Sequence, residues 1–192
     1  MAKIGVLALQ GDYEEHISVL RKLDVDPQEV RLPEQLNGLD GLIIPGGEST
    51  TQARLMDIYS LREPLKLRAT DGMALWGTCA GLIMMSSRLS EDRPDPLGLI
   101  DLEVQRNGYG RQVDSFEADI PVPVLSEPSF RAIFIRAPRI LNTGPKITVL
   151  ATHPDGGVVA AQEGRMLVTT FHPELTDDVR FHQHFLGMVD SR

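Results

Sequence analysis

Gly77-Thr78-Cys79-Ala80-Gly81 sets the one cysteine of the chain in a G-x-C-x-G frame, between the apolar runs Met73–Trp76 and Leu82–Met85. This is the thiol form of a nucleophile elbow, a sharp turn from strand to helix. Flanking glycines let the backbone cross itself tightly, so the middle side chain projects from a strained turn. The helix that begins just after it aims free N–H groups and a positive dipole end at the sulfur, which favours thiolate chemistry. A lone cysteine is more commonly packed as a small buried hydrophobe. The glycines turn the reading towards a nucleophile.

Such a nucleophile needs a base, and the base needs an orienting group. Of the five histidines, His16 falls in an expected first helix and His182 and His184 in a last one, where solvated or core-edge roles are expected. The H-x-H spacing of the last pair does not bring both rings to one helix face, so no metal site is expected there. His153 sits in a Pro-Asp-Gly-Gly turn and reads as a surface residue. His172 differs, because it directly follows the expected strand Met166–Phe171 and is held in Phe171-His172-Pro173-Glu174. The carboxyl ends of strands are where active sites gather in open α/β folds. Glu174 is close enough to accept from the second ring nitrogen, fixing the tautomer and stabilising an imidazolium.

Pro45-Gly46-Gly47-Glu48-Ser49 is a third element. Bare N–H groups at a Gly-Gly turn before a helix can cradle a phosphate or form an oxyanion hole. Neither G-x-x-x-x-G-K-[ST] nor G-x-G-x-x-G is present, which weakens the nucleotide alternative. An oxyanion hole would pair the N–H of Gly47 with that of Ala80, the amide after the nucleophile.

Apolar runs and turn residues supply the elements that must position these groups. Strands are expected at Lys3–Leu9, Val25–Arg31, Gly41–Ile44 and Met73–Trp76, alternating with helices from Asp12, as a cap, to Leu23 and over Thr50–Ser60, with Leu55 and Ile58 on one side. Another helical turn or two is expected within 61–71. This alternation implies a parallel sheet with helices on both faces. After the exposed loop Glu91–Pro96 come strand-like segments at Leu99–Gln105, Ser115–Ile120, Arg131–Arg136, Lys146–Thr152 and Gly157–Gln162. Glu163-Gly164-Arg165 reads as a hairpin turn into Met166–Phe171. Asp177–Val189 closes as an amphipathic helix with Val179, Phe185 and Met188 inward. The expectation is one α/β domain over residues 1–192, a mostly parallel sheet that gains antiparallel strands late.

Composition narrows the function classes. The 192 residues suffice for one domain with a substantial core. A net charge of −8 argues against nucleic acid. No run approaches the roughly 18 apolar residues of a membrane span. The opening MAKIGVLALQGD reads as a first strand and not as a signal peptide. One cysteine cannot close an internal disulfide, which suits a reducing cytoplasm.

Together the Gly-Gly loop, the elbow and the H-P-E turn resemble a class I glutamine amidotransferase, with its single-domain, flavodoxin-like α/β fold. More narrowly, the chain is similar to the family of glutaminase subunits of pyridoxal 5′-phosphate synthase. The similarity rests on IGVLALQGDYEEH, RLPEQLNGLDGLIIPGGEST, LWGTCAGLI, RNGYGRQVDSFEADI, FIRAPRI and TFHPELT. It implies Cys79 as nucleophile, His172 as general base and acid, and Glu174 as the orienting carboxylate. It further implies Gly47, Glu48, Ser49, Arg106, Ile135 and Arg136 as contacts for L-glutamine. A guanidinium suits the carboxylate of a free amino acid. No cofactor or metal is implied. The implied partner is a (β/α)₈-barrel synthase subunit that receives the ammonia within a large hetero-oligomer. Two other readings stay open on residue patterns alone: another cysteine hydrolase such as a γ-glutamyl peptidase, and a non-catalytic thiol-sensing or interaction domain.

Overall fold

The computed structural model describes residues 2–108 and 115–191. Residues 109–114, inside the RNGYGRQVDSFEADI stretch, lie outside the described residues. In chain order the first half runs β1 (Ile4–Leu7), α1 (Tyr13–Lys22), β2 (Gln28–Val30), β3 (Gly41–Ile44), α2 (Ser49–Ile58), α3 (Arg62–Thr70), β4 (Ala74–Thr78) and α4 (Ala80–Met85). Then follow β5 (Ser86–Leu89), β6 (Ile100–Gln105), β7 (Ser115–Ile120), β8 (Phe130–Ile135), β9 (Arg139–Thr143), β10 (Thr148–Thr152), β11 (Val158–Glu163), β12 (Met166–Thr169) and α5 (Arg180–Asp190).

The main sheet has seven strands in the order β10-β11-β12-β4-β3-β1-β2. From β12 to β2 all neighbours are parallel, and β10-β11-β12 are joined antiparallel. The mixed sheet therefore has the expected parallel core and late antiparallel edge. In the hairpin Glu163 pairs with Met166, leaving a two-residue turn with Gly164 at φ 56°. Every residue of β1, β3 and β4 is buried, as continuous apolar strands covered on both faces should be.

Alternate strand residues feed two hydrophobic layers. Leu7, Leu42, Ile44 and Leu75 pack with Met56 of α2, Leu65 of α3 and Leu82 of α4. Ile4, Val6, Ile43 and Trp76 pack with Ile17 and Leu20 of α1 and with Phe181 and Phe185 of α5. Helices thus lie on both faces. Among the described residues no helix is long and apolar enough to cross a membrane.

Some local expectations needed correction. In α2 the buried face is Gln52, Ala53 and Met56, while Ile58 is 60% exposed. The inward face follows Met56, with Gln52 and Ala53 on the same side, and Ile58 falls on the outer side of the helix. Asp12 stands at the N-cap of α1, but its side chain makes no capping bond. β5 and β9 lie outside the expected strands: Ser86–Leu89 has three polar residues in four, and Arg139–Thr143, though bounded by Pro138 and Gly144-Pro145, has only two apolar residues, side by side. Both strands pair with β6 in a separate three-stranded sheet, and β7 and β8 form a third.

Helix α5 is fastened by aromatic packing. The Phe181 ring lies 4.9 Å from Phe130, 5.3 Å from Phe171 and 6.3 Å from Trp76, centre to centre. The Phe181→Ala variant is expected to lose about 3–5 kcal/mol of unfolding free energy in urea titration, whereas Leu67→Ala, at an exposed position, changes it by less than about 0.5 kcal/mol.

Candidate active site

Parallel pairing brings the carboxyl ends of β1, β3, β4 and β12 to one edge of the sheet. The loops that leave those ends carry Asp12, Gly46-Gly47-Glu48, Cys79 and His172 respectively. They border a cavity of about 260 Å³ lined by Cys79, His172, Gly47, Arg106 and Arg136, with Asp12, Glu48, Ser49, Ile83, Asn107 and Ile135 completing its wall. That is the scale of a single amino acid, below the roughly 300–1,000 Å³ of drug-sized pockets.

Cys79 occupies the elbow with φ 46° and ψ −102°, a sparsely populated region for a residue with a Cβ. Its N–H donates to the Thr169 carbonyl at 2.9 Å, which ties the strained turn to β12. The flanking glycines have a steric cause. A Cβ on Gly81 would press into the Ile44 carbonyl, and one on Gly77 into the Gly81 backbone. α4 can approach β3 and β4 this closely only without those atoms. Ala80 N–H, the first amide of α4, has no acceptor within its helix. The Cys79 sulfur lies 3.8 Å from the Ile135 carbonyl.

The loop after β3 is shaped by its own contacts. Gly47 has φ 142°, and a Cβ there would meet the Gln10 amide. Gln10 Oε1 accepts from the Glu48 N–H at 3.1 Å, and the Gly46 carbonyl accepts from the Asp12 N–H at 3.2 Å. Glu48 caps α2, accepting from the Thr51 N–H at 2.7 Å and the Thr50 N–H at 3.2 Å. It also accepts from Arg106 Nη2 at 3.1 Å. Partial burial opposes its charge, but the Thr50 and Thr51 bonds prevail and hold its carboxyl down at about 2. Glu48 thus reaches the cavity as a carboxylate that positions Arg106. Arg106 Nη1 donates to the Arg93 carbonyl at 3.1 Å, so its guanidinium is held from two sides. Arg136 follows β8 at φ 42° and also lines the cavity.

His172 is held by backbone and side chain together. Its N–H donates to the Ile133 carbonyl at 2.8 Å, and Nδ1 lies 2.7 Å from Glu174 Oε1. Asp12 Oδ2 stands 3.3 Å from the same nitrogen. Burial works against a charged ring, but Asp12, the hydrogen-bonded Cys79 sulfur and Glu174 outweigh it, and His172 is pushed up to about 12. Burial also raises the Glu174 carboxyl, opposed by its bond to His172. The 2.7 Å contact is that of a carboxylate on an imidazolium. Asp12, His172 and Glu174 are the one cluster among the described residues with three ligand-type atoms close enough for a metal ion. Those atoms are engaged with one another around a single ring nitrogen, an arrangement that serves proton placement.

Behind Glu174 lies a buried polar array that the sequence reading missed. His16 and His182 are fully buried, not solvated or at the core edge. His16 Nε2 lies 3.4 Å from Glu174 Oε2 and 3.3 Å from Thr78 Oγ1, and its Nδ1 lies 3.0 Å from His182 Nε2. Since Glu174 Oε2 lacks hydrogen-bond alignment, its contact with His16 is close but not linear. Burial holds both histidines neutral, His182 at about 3, and His182 and His172 depress His16 further. His153 is only partly exposed, with its ring edge-on to Phe116 and Phe134.

The mixed, mostly parallel α/β fold is that of a glutamine amidotransferase. The chain belongs to the SNO glutamine amidotransferase family, which matches residues 6–191. It is 52% identical over 188 residues to the "Pyridoxal 5'-phosphate synthase subunit PdxT" of Chloroflexus aurantiacus, covering 96% of this chain and 99% of that one. The protein of the same name from Thermotoga neapolitana is 50% identical over 187 residues, covering 97% and 99%. A solved structure described as "Crystal structure of glutamine amidotransferase" superposes with a TM-score of 0.91 at 43% identity, covering 97% of this chain and 98% of that one.

Two outcomes test this geometry. An unfolded His182 titrates near 6.5 and the folded one near 3, so between those values the unfolded state binds the extra proton and stability falls as pH falls. Denaturation from pH 6.5 to 4 is expected to show a shallower decline for His182→Gln than for the wild type. At the elbow, relief of backbone strain should reverse the usual ranking, making Cys79→Gly more stable than Cys79→Ala by about 1 kcal/mol in urea titration.

Proposed function

We propose that residues 1–192 act as one glutaminase domain, the ammonia-producing subunit of a pyridoxal 5′-phosphate synthase, with Cys79, His172 and Glu174 as its catalytic triad. The observation that carries the reading is His172, fixed at 2.7 Å by Glu174 and lining with Cys79 the wall of an amino-acid-sized cavity.

L-Glutamine enters with its α-carboxylate towards Arg106 and Arg136 and its side-chain amide towards Cys79. Gly47, Glu48, Ser49 and Ile135 form the remaining contacts, and Glu48 acts mainly by holding Arg106. The thiolate attacks the amide carbon, and the oxyanion is met by the N–H groups of Gly47 and Ala80. Protonated His172 gives its proton to the departing nitrogen, and ammonia leaves from a thioester. Neutral His172 then takes a proton from water, hydroxide attacks the thioester, and breakage of the C–S bond releases glutamate, whose new carboxyl gives its proton to solvent, and restores the thiolate beside protonated His172. Glu174 keeps the ring in register for both transfers. No cofactor takes part in these steps.

Ammonia is useful to a biosynthetic partner only if it does not escape as ammonium. A docked (β/α)₈-barrel synthase subunit in a cytoplasmic hetero-oligomer satisfies that need. The loop of Gly46-Gly47 is the element through which docking would set activity, because a glycine pair can rotate its peptide at little steric cost.

Glutamate release is measured with and without the synthase subunit. The wild type is expected to be faster in the complex, and Cys79→Ala to lose at least about a thousand-fold in kcat. Glutamate formed by Cys79→Ala at the wild-type rate would sink the mechanism, and equal rates for the free chain and the complex would sink the docking control.

A further inference from the structure

The loop after β1 brings a second carboxylate to the catalytic imidazole. We infer that Asp12 is a positioning residue for His172, sharing with Glu174 the task of holding the ring charged and oriented; this rests on the triad reading above.

Asp12 sits where a helix cap belongs, yet its carboxylate makes no capping bond and instead turns to His172 Nδ1 at 3.3 Å. The backbone of the same residue donates to the Gly46 carbonyl at 3.2 Å. One residue therefore joins the histidine to the glycine loop. Gly46 is bare where the two meet, since a Cβ there would fall against the His172 ring and 3.1 Å from Asp12 Oδ2. The site is tailored to let these groups touch.

Nδ1 carries one proton, and Glu174 takes it at the shorter distance. Asp12 contributes charge and a second acceptor for the same N–H. The two carboxylates are not equivalent. Glu174 has a fully buried side chain and His16 on its far oxygen, whereas the Asp12 side chain is 36% exposed at the cavity wall. Burial raises the Glu174 carboxyl, whereas the Asp12 side chain keeps contact with water. Asp12 thus guards the imidazolium where Glu174 is weakest. The groups facing His172 are Asp12 from the start of α1, Cys79 from the elbow and Glu174 from its own turn, with His16 neutral behind Glu174 and Arg106, Arg136 and Glu48 across the cavity.

The sign follows directly. Removing an anion next to Nδ1 destabilises the imidazolium, so His172 loses its proton at lower pH. In the assembled synthase, the alkaline limb of kcat/KM for glutamine is expected to move down by about one pH unit in both Asp12→Asn and Asp12→Ser. The change should fall on kcat more than on KM. Two carboxylates sharing one task also predict non-additivity: Asp12→Asn should cost at least several-fold more in kcat in a Glu174→Gln background than in the wild type. NMR titration of the His172 ring in the Cys79→Ala/Glu174→Gln double variant gives a second reading that does not depend on any Asp12 variant folding. There Asp12 is the anion left beside the ring, which should stay charged well above 6.5. An unmoved alkaline limb with additive costs, or a His172 that titrates near 6.5 in that double variant, would overturn the role of Asp12. Full activity in Cys79→Ala would instead overturn the triad itself, and the two failures are therefore distinct.

Discussion

The order β12-β4-β3-β1 in a parallel sheet is the constraint on which the site depends. Parallel strands end together, so loops far apart in sequence become neighbours along one edge. The elbow leaves β4 at the centre, the glycine loop leaves β3 on one side, and the histidine turn leaves β12 on the other. β1 adds Asp12 beyond the glycine loop. A further strand between β4 and either neighbour would move the histidine turn or the glycine loop away from the elbow by the width of a strand, roughly 5 Å. The glycines of the elbow serve the same end, because α4 must lie hard against the Ile44 carbonyl for Cys79 to stand between its two neighbours.

Electrostatics build on that frame in two tiers. At the cavity wall, buried His172 is charged because carboxylates and the Cys79 sulfur surround it. One layer deeper, His16 and His182 are as fully buried, but with no carboxylate aligned on them they are neutral. Burial is common to all three rings, and the neighbours decide the charge. The neutral pair still has work to do, since it fills the space behind Glu174 with groups that can hydrogen-bond without adding a competing positive charge. Trp76, Phe181 and Phe185 wall this array off from water, so the aromatic layer over the sheet and the carboxylate of the catalytic turn belong to one packed unit.

Across the cavity the charges are arranged differently. Glu48 binds the first amides of α2 and the Arg106 guanidinium at once. A helix start and a cavity cation are therefore coupled through one carboxylate, and Arg106 is offered to a ligand already oriented. The result is a small cavity whose lining joins two guanidinium groups, a carboxylate, a thiol and the glycine loop.

What the sequence determined was local. G-x-C-x-G specified a tight turn because the contact of Gly77 with the Gly81 backbone lies within five residues, although Gly81 itself answers to the distant Ile44 carbonyl, and His172-Pro173-Glu174 put a carboxylate two positions from the ring that it meets. The strands β1, β3, β4, β7 and β12, and the hairpin at Gly164, were legible because apolar runs and turn residues act over similarly short distances. The SNO family membership was legible through motifs spread over the chain. Tertiary structure decided what depends on contacts between distant segments. Helical spacing placed His16 and His182 in helices but could not show that the two helices face each other beneath Glu174. The position of Asp12 suggested a cap, and only the neighbouring β12 turn gives its carboxylate a ring to hold. β5 and β9 exist because β6 offers them an edge, and Ile58 is exposed because α2 packs through Gln52, Ala53 and Met56. Such features arise from strand order and close packing, which no stretch of a dozen residues contains.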